Sequence, residues 1–191
     1  MNRKWWLVVA GAAAIAALVI GARVGQSVIG SPEPEPPPPS LKSFHEPITD
    51  VSISYPASWT RLSAPDREVR LLVAADASVS LSMRVTKTSF ADVTAKNVGV
   101  LRELTDGLLG QDKRTKVIGE PQAIELSGLP GFRYRYTYMG EDGVTGAHVH
   151  YFLFKRSRMI QLVFQAARAD RLDALEPAFD RIASTFKGNV R

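Results

Sequence analysis

There is no cysteine in this chain. That absence excludes disulfides, thiol catalysis and any cysteine-ligated zinc or iron–sulfur centre. It also excludes a lipobox, because no thiol is available to carry the lipid. A cysteine-free head suits an exported bacterial protein held together by its core, and suits a small secreted eukaryotic domain less well. Long runs of one charge are missing too: 24 Lys and Arg stand against 19 Asp and Glu, a net charge of +5 dispersed along the chain. Such an excess permits contact with acidic lipids or glycans. It does not make the concentrated basic face that nucleic acid needs, so no nucleic-acid partner is expected. The chain also lacks Gly-x-Ser-x-Gly, a phosphate loop, His-Glu-x-x-His and a dinucleotide fingerprint. Ser184-Thr-Phe-Lys187 fits Ser-x-x-Lys, but it ends a predicted helix without the companion motifs and reads as coincidence. Carboxylates are scattered, so spacing defines no acid–base pair. The expectation is a non-enzyme, with no catalytic residue, no cofactor and no metal site.

What is present begins with the N-terminus. Trp5 to Ala22 is a run of 18 uncharged, mostly apolar residues preceded by Arg3 and Lys4. At about 1.5 Å per residue such a helix just crosses a bilayer core of about 30 Å. A cleaved signal peptide is the rival, but its apolar region is usually shorter, and Gly25-Gln26-Ser27 is a poor cleavage site. The two leading tryptophans favour a membrane interface, and the positive charges before the span keep the N-terminus cytoplasmic. Ser31 to Ser40 then holds six prolines in ten positions, a stiff polyproline II spacer. The expected organisation is an anchor over 1–30 (span about 5–22), a stalk over 31–40 and one extracytoplasmic domain over 41–191. The protein is thus placed at the cell membrane, single-pass, with its C-terminal domain outside.

Within the head, Val51 to Tyr55 alternates apolar and polar residues up to Pro56, as a half-buried strand does. A strand restarts near Trp59, and Val69–Ala74 and Ser78–Thr86 form the next pair. From Asp92 the period becomes helical through Leu101, Leu104 and Leu108, with Gly110 as terminator. Residues 114–126 offer short extended pieces broken at Gly119 and Pro121. Phe132–Tyr138, Val144–Phe154 and Met159–Ala166 read as three antiparallel strands. Leu172, Leu175, Phe179, Ile182 and Phe186 make one apolar helix stripe, with Pro177 suggesting a turn and a helix from about 177. Two helices among strands, ending in an antiparallel meander, give an α+β fold.

The segment Ile53-Ser-Tyr55-Pro56-Ala-Ser-Trp59 resembles the opening of PsbP-like domains. The Gly128-Leu-Pro-Gly131 turn feeding a tyrosine-rich strand resembles their middle, and the final amphipathic helix ending in Ser184-Thr-Phe186 their end. The likeness covers roughly residues 44–187 and is strongest to the LpqN-type envelope proteins of actinobacteria. Those are generally lipoproteins, whereas this chain has a span and no lipobox cysteine. The resemblance implies an antiparallel sheet flanked by helices, an α/β/α sandwich. It also implies a domain that binds partners, as relatives in photosystems, nuclei and cell envelopes do, and it transfers no catalytic residue.

One polar constellation stands out. Residues i and i+2 of a strand share a face, so His148 and His150 point one way. If the loop near Gly140–Gly143 has an even number of residues, Arg135 lies opposite His148 and Arg133 opposite His150, and if the next hairpin loop is even too, Gln161 and Gln165 join them. The apolar wall under the last helix is then Phe132, Tyr134, Tyr136, Tyr151, Leu153, Ile160, Leu162 and Phe164. Two guanidinium groups argue against a metal at the His-x-His pair, and an anion fits better. The alternative is a solvated face of long polar side chains. Charge reversal at Arg133 and Arg135 is then expected to weaken binding without unfolding the head. The expected function is a membrane-tethered, non-enzymatic binding or scaffolding domain engaging an envelope protein, anionic lipid or glycan. The alternatives are an envelope-lipid hydrolase or transferase using His148 or His150, and a lipid carrier with an apolar cavity.

Overall fold

The computed structural model describes residues 40–89, 98–140 and 143–188. The expected span, almost all of the stalk, and residues 92–97 of the first expected helix lie outside these. Among the described residues no helix is long and apolar enough to cross a membrane.

The chain runs β1 (Leu41–Glu46), β2 (Val51–Pro56), β3 (Thr60–Arg61), β4 (Val69–Ala74), β5 (Val79–Lys87), α1 (Val98–Gly110), β6 (Thr115–Val117) and β7 (Gln122–Leu126). It continues through β8 (Leu129–Met139), β9 (Thr145–Lys155), β10 (Arg158–Ala166), a 3-10 turn (Ala169–Arg171), α2 (Leu172–Ser184) and β11 (Lys187–Gly188). The main sheet is antiparallel, ordered β3-β4-β5-β10-β9-β8-β6, with β7 also paired to β8. A smaller sheet joins β1, β2 and β11. The fold is α+β, as the pattern of elements implied.

The alternation in β5 places its side chains as expected: Val79, Leu81, Met83 and Val85 are buried, while Ser80, Ser82 and Arg84 are half-buried. The apolar side joins Val149, Tyr151 and Leu153 of β9 and Ile160, Leu162 and Phe164 of β10 in one core. Leu172, Phe179, Ile182 and Ala183 of α2 and Val51 and Ile53 of β2 close it. On the reverse face Leu101 and Leu109 of α1 pack on Phe132, Tyr134, Tyr136, Phe152, Phe154 and Met159. Covered on both sides, β9 is buried at every residue from Gly146 to Phe154. Phe132, Tyr134 and Tyr136 therefore lie under α1, not in the wall beneath α2 where the sequence reading put them.

Two further elements differ from expectation. Strand β1 has no clean alternation in Leu41-Lys-Ser-Phe-His-Glu46 and exists through its pairing with β2. Helix α2 starts at Leu172 and carries Pro177 inside it, because Leu172 and Phe179 are both buried in the same core and hold the turns on either side of the proline. The turn anticipated before it does exist, earlier, as the 3-10 turn over Ala169–Arg171.

Gly131 shows how closely β8 and β9 pack. A Cβ there would meet the Phe152 carbonyl oxygen at 2.0 Å, and backbone cannot swing aside. Gly131→Ala is expected to lower unfolding free energy by about 1–3 kcal/mol or more, read from a denaturant titration. An unchanged midpoint would show that the two strands can part at this point.

Candidate functional site

The β8–β9 hairpin decides where every polar residue of the meander goes. Met139 pairs with Thr145, leaving residues 140 to 144 as the loop, an odd number. Odd residues of β8 therefore face odd residues of β9: Arg133 opposes Tyr151 and Arg135 opposes Val149. Even residues meet even ones, so Tyr134 opposes His150 and Tyr136 opposes His148. The expected cluster of Arg133, Arg135, His148 and His150 is thus divided between opposite faces of the sheet. The expectation for the glutamines holds, since Gln165 opposes His148 and Gln161 opposes Phe152 on the histidine face.

On the α2 face the two arginines meet carboxylates. The Arg133 guanidinium donates to Glu176, to Asp180 at 3.1 Å and to the Tyr151 hydroxyl at 3.2 Å. Tyr151 in turn donates to Asp180 at 2.5 Å. Arg135 pairs with Asp173 at 2.5 Å and lies 3.4 Å from Glu176. Burial works against the Arg133 charge, but Glu176 and Tyr151 outweigh it and hold the guanidinium more firmly protonated than usual. Burial, reinforced by Asp180, raises the Tyr151 phenol above its ordinary range. The three acids recur along the polar side of α2 at spacings of three and four. That was a readable signal, since a stripe of carboxylates beside an apolar stripe implies cations on the surface the helix covers.

An open cleft of about 430 Å³ lies over this network, with Gln122 and Leu126 of β7 on one rim and Ser184 on the other. Ser184 donates to the Arg181 carbonyl of its own helix at 2.7 Å. The Ser-x-x-Lys match therefore remains coincidence. A second open cleft of about 340 Å³ lies between α1 and β6, with Arg102, Asp106 and Glu120 at its rim. Both carry charge, whereas a lipid carrier needs an enclosed apolar cavity.

On the α1 face His148 and His150 are buried, which removes the solvated-face alternative for them. Tyr136 sits between the rings, its hydroxyl 2.8 Å from His148 Nδ1 and 3.3 Å from His150 Nδ1. One phenol can donate to one ring and accept from the other, so the two imidazoles adopt opposite tautomers. His150 stacks on Phe152 with centroids 3.8 Å apart, and Tyr138 lies 4.5 Å from His148. Among the described residues neither buried Nε2 atom has a partner within hydrogen-bond geometry, the nearest polar side chains on that face being Gln165 and Gln161. Burial drives the His148 pKa down to about 4 despite the opposing influence of Gln165. It drives His150 well below its usual value, with neighbouring His148 adding to the effect and Gln161 resisting it. Both imidazoles are neutral at pH 7. The hydroxyl within reach belongs to Tyr136, whose own pKa burial raises. It orients the rings and is no activated nucleophile. Beside this cluster, Tyr134 bonds Thr105 at 2.6 Å and Asp106 at 2.7 Å, tying α1 to the sheet.

Among the described residues no group of three or more His, Cys, Asp or Glu could hold a metal ion. His45 lies exposed on β1 with Nε2 3.9 Å from Asp50.

This architecture is similar to that of a solved cyanobacterial protein. The solution structure of PsbP from Synechocystis sp. PCC 6803 matches with a TM-score of 0.57 over 84% of this chain and 99% of that one, at 20% identity. The domain has a PsbP-like fold. LpqN of Mycobacterium tuberculosis, described as involved in cell envelope biogenesis, matches with a TM-score of 0.53 at 17% identity, over 78% of this chain and 90% of that one. The yeast Ran-binding protein Mog1p of Saccharomyces cerevisiae matches at 0.51 and 6% identity, over 79% of this chain and 96% of that one. No protein-family model and no curated protein sequence matches the chain. At these identities the PsbP-like likeness is one of fold. The Arg133–Glu176–Asp180 and His148–Tyr136–His150 clusters are described from this chain alone.

Proposed function

We propose that this protein is a membrane-tethered, extracytoplasmic binding or scaffolding domain that engages a partner in the cell envelope and performs no chemistry of its own. The observation that carries the reading is how its unusual polar residues are used. Arg133 and Arg135 are bound to three carboxylates of α2, and His148 and His150 lie neutral beneath α1 with Tyr136 between them. These groups tie α2 to the sheet and fill the face beneath α1, which leaves recognition to the outer surface. The apolar run over residues 5–22 and the proline stalk support a head held clear of a membrane. The PsbP-like fold, shared with an LpqN described as involved in cell envelope biogenesis, supports an envelope setting.

The reading is tested with the full chain carrying a C-terminal tag in a bacterial host. The tag should stay in the membrane pellet after an alkaline wash, be digested when protease is added to intact spheroplasts, and belong to a polypeptide starting at Met1 by intact mass. A soluble species starting near Val28 removes the tether. A tag protected from protease in spheroplasts removes the extracytoplasmic placement.

A further inference from the structure

The far end of the main sheet carries a row of like charges. Arg158 of β10 is the register partner of Lys87 on β5 and of Lys155 on β9. Three cations therefore sit side by side across three adjacent strands, in the row that follows buried Val85, Ile160 and Leu153 on the same face. Neighbouring strands are about 4.8 Å apart, so the row spans roughly 10 Å. Arg156 extends it through the left-handed turn that joins β9 to β10, at φ 53°. Like charges directly opposite one another destabilise a sheet.

Elsewhere on the sheet cationic side chains are matched by carboxylates. Arg84 meets Asp66 and Glu68, and Arg133 and Arg135 meet the acids of α2. In this row Lys155 is partly relieved, its Nζ donating to the Thr49 carbonyl at 2.6 Å and the Asp50 carbonyl at 3.4 Å. Burial and Arg156 still depress its pKa against the pull of Asp50. Among the described residues Lys87 and Arg158 make no ion pair and no side-chain hydrogen bond. A local rule broken with no compensation among the described residues points to compensation from outside.

We infer that the Lys87–Arg158–Lys155 row is a docking site for a linear polyanion bearing repeated phosphate groups. A single small anion engages one or two of the cations, whereas a chain of charges laid across the strands meets all three. The position of the row sets it apart from a lipid-binding surface. The chain enters the head at Ser40, whose carbonyl accepts from Ala57 N at 2.8 Å. That point lies near the level of Thr60, Ala74 and Ser80, which are register partners in turn. From Ser80 to Lys87 the strand rises roughly 23 Å. The row therefore lies at the end of the sheet remote from the point where the chain enters the head, which for a head tethered there is the end away from the anchor, and in this respect the inference rests on the reading above.

The test uses the full chain in neutral detergent, with fluorescently labelled long-chain inorganic polyphosphate as the probe. Arg158→Glu converts the row to an alternation of plus, minus, plus. Lys116→Glu makes the same charge change on exposed β6. Arg158→Glu should weaken polyphosphate binding roughly tenfold and lessen its salt dependence, and Lys116→Glu should change it by less than about threefold. Without polyanion, Arg158→Glu should melt at or above the wild-type temperature, because repulsion across the strands becomes attraction. Polyphosphate should raise the melting temperature of the wild type and leave that of Arg158→Glu unmoved. Lys87→Glu serves as the second variant if Arg158→Glu fails to fold. The inference is overturned if the wild type does not bind polyphosphate or if Lys116→Glu loses as much affinity. It is also overturned if neutral vesicles doped with phosphatidylglycerol bind the wild type as tightly as polyphosphate does, which makes the row a lipid surface. Failure of the wild type to bind polyphosphate with fractionation unchanged removes this site alone, and a protease-protected head removes the envelope reading alone.

Discussion

Acidification from about pH 7 to about pH 4.5 should cost the head about 2–3 kcal/mol of stability through His148 alone. The folded domain buries His148 neutral and depresses its pKa from 6.5 to about 4. The unfolded chain takes up the proton near pH 6.5, whereas the folded one resists it. Stability from this source is therefore complete above pH 6.5 and falls as the pH drops through that value toward 4. His150 acts in the same direction, since burial and the adjacent His148 both disfavour its charged form. Urea titrations at several pH values in this window measure the slope. His148→Gln with His150→Gln should flatten it, while costing about 1–3 kcal/mol at pH 7 where the Tyr136 contacts are lost. A wild-type protein equally stable at both ends of the window would mean that the imidazoles reach solvent, and the account of that face would be wrong.

Arg133→Glu should destabilise the head by about 3–5 kcal/mol, a large share of the roughly 5–15 kcal/mol that holds an ordinary domain together. Its side chain is only 12% exposed and lies against Glu176 and Asp180, so reversal places three carboxylates in one half-buried site. The expectation for Arg133 is thus the reverse of the sequence-based one, in which reversing Arg133 and Arg135 leaves the head folded. Arg135, 31% exposed and paired to an Asp173 that is itself almost fully exposed, should tolerate reversal far better. Replacing Arg133 by Met and Glu176 by Leu together keeps volume and removes both charges, and should restore most of the lost stability, since the Tyr151–Asp180 bond at 2.5 Å remains. Thermal melts of the three variants decide the matter. An Arg133→Glu protein melting within about 2 °C of wild type would show that the network contributes little.

Much of the fold was legible because the driving pattern is local. Alternation in β5 and the apolar stripe from Leu172 to Phe186 each follow from the period of a single element, and both lie as read. The Pro56 and Gly110 boundaries held for the same reason: each is set by the residue at that position. Strand β1 was not legible, because its exposed residues carry no period and only the partner strand defines it. The start of α2 was misplaced because Pro177 is a local signal against a helix, and burial of Leu172 and Phe179 in the shared core prevails over it.

The candidate site shows the division most clearly. Sequence alone determined that His148 shares a face with His150 and Arg133 with Arg135, since i and i+2 on a strand cannot do otherwise. Whether Gln161 and Gln165 join the histidine face depends on the parity of the β9–β10 loop, and its two residues between Lys155 and Arg158 put them there. Which face the arginines share depends on whether the β8–β9 loop holds an odd or even number of residues, and a one-residue change sends a whole strand's side chains to the other side. Only the tertiary structure decided that, by closing the hairpin at Met139 and Thr145. The physical reason lies in the two faces. α2 brings Asp173, Glu176 and Asp180 to the arginines, while α1 covers Tyr134, Tyr136 and the aromatic residues around the histidines. The register that satisfies both helices at once is the one the chain adopts.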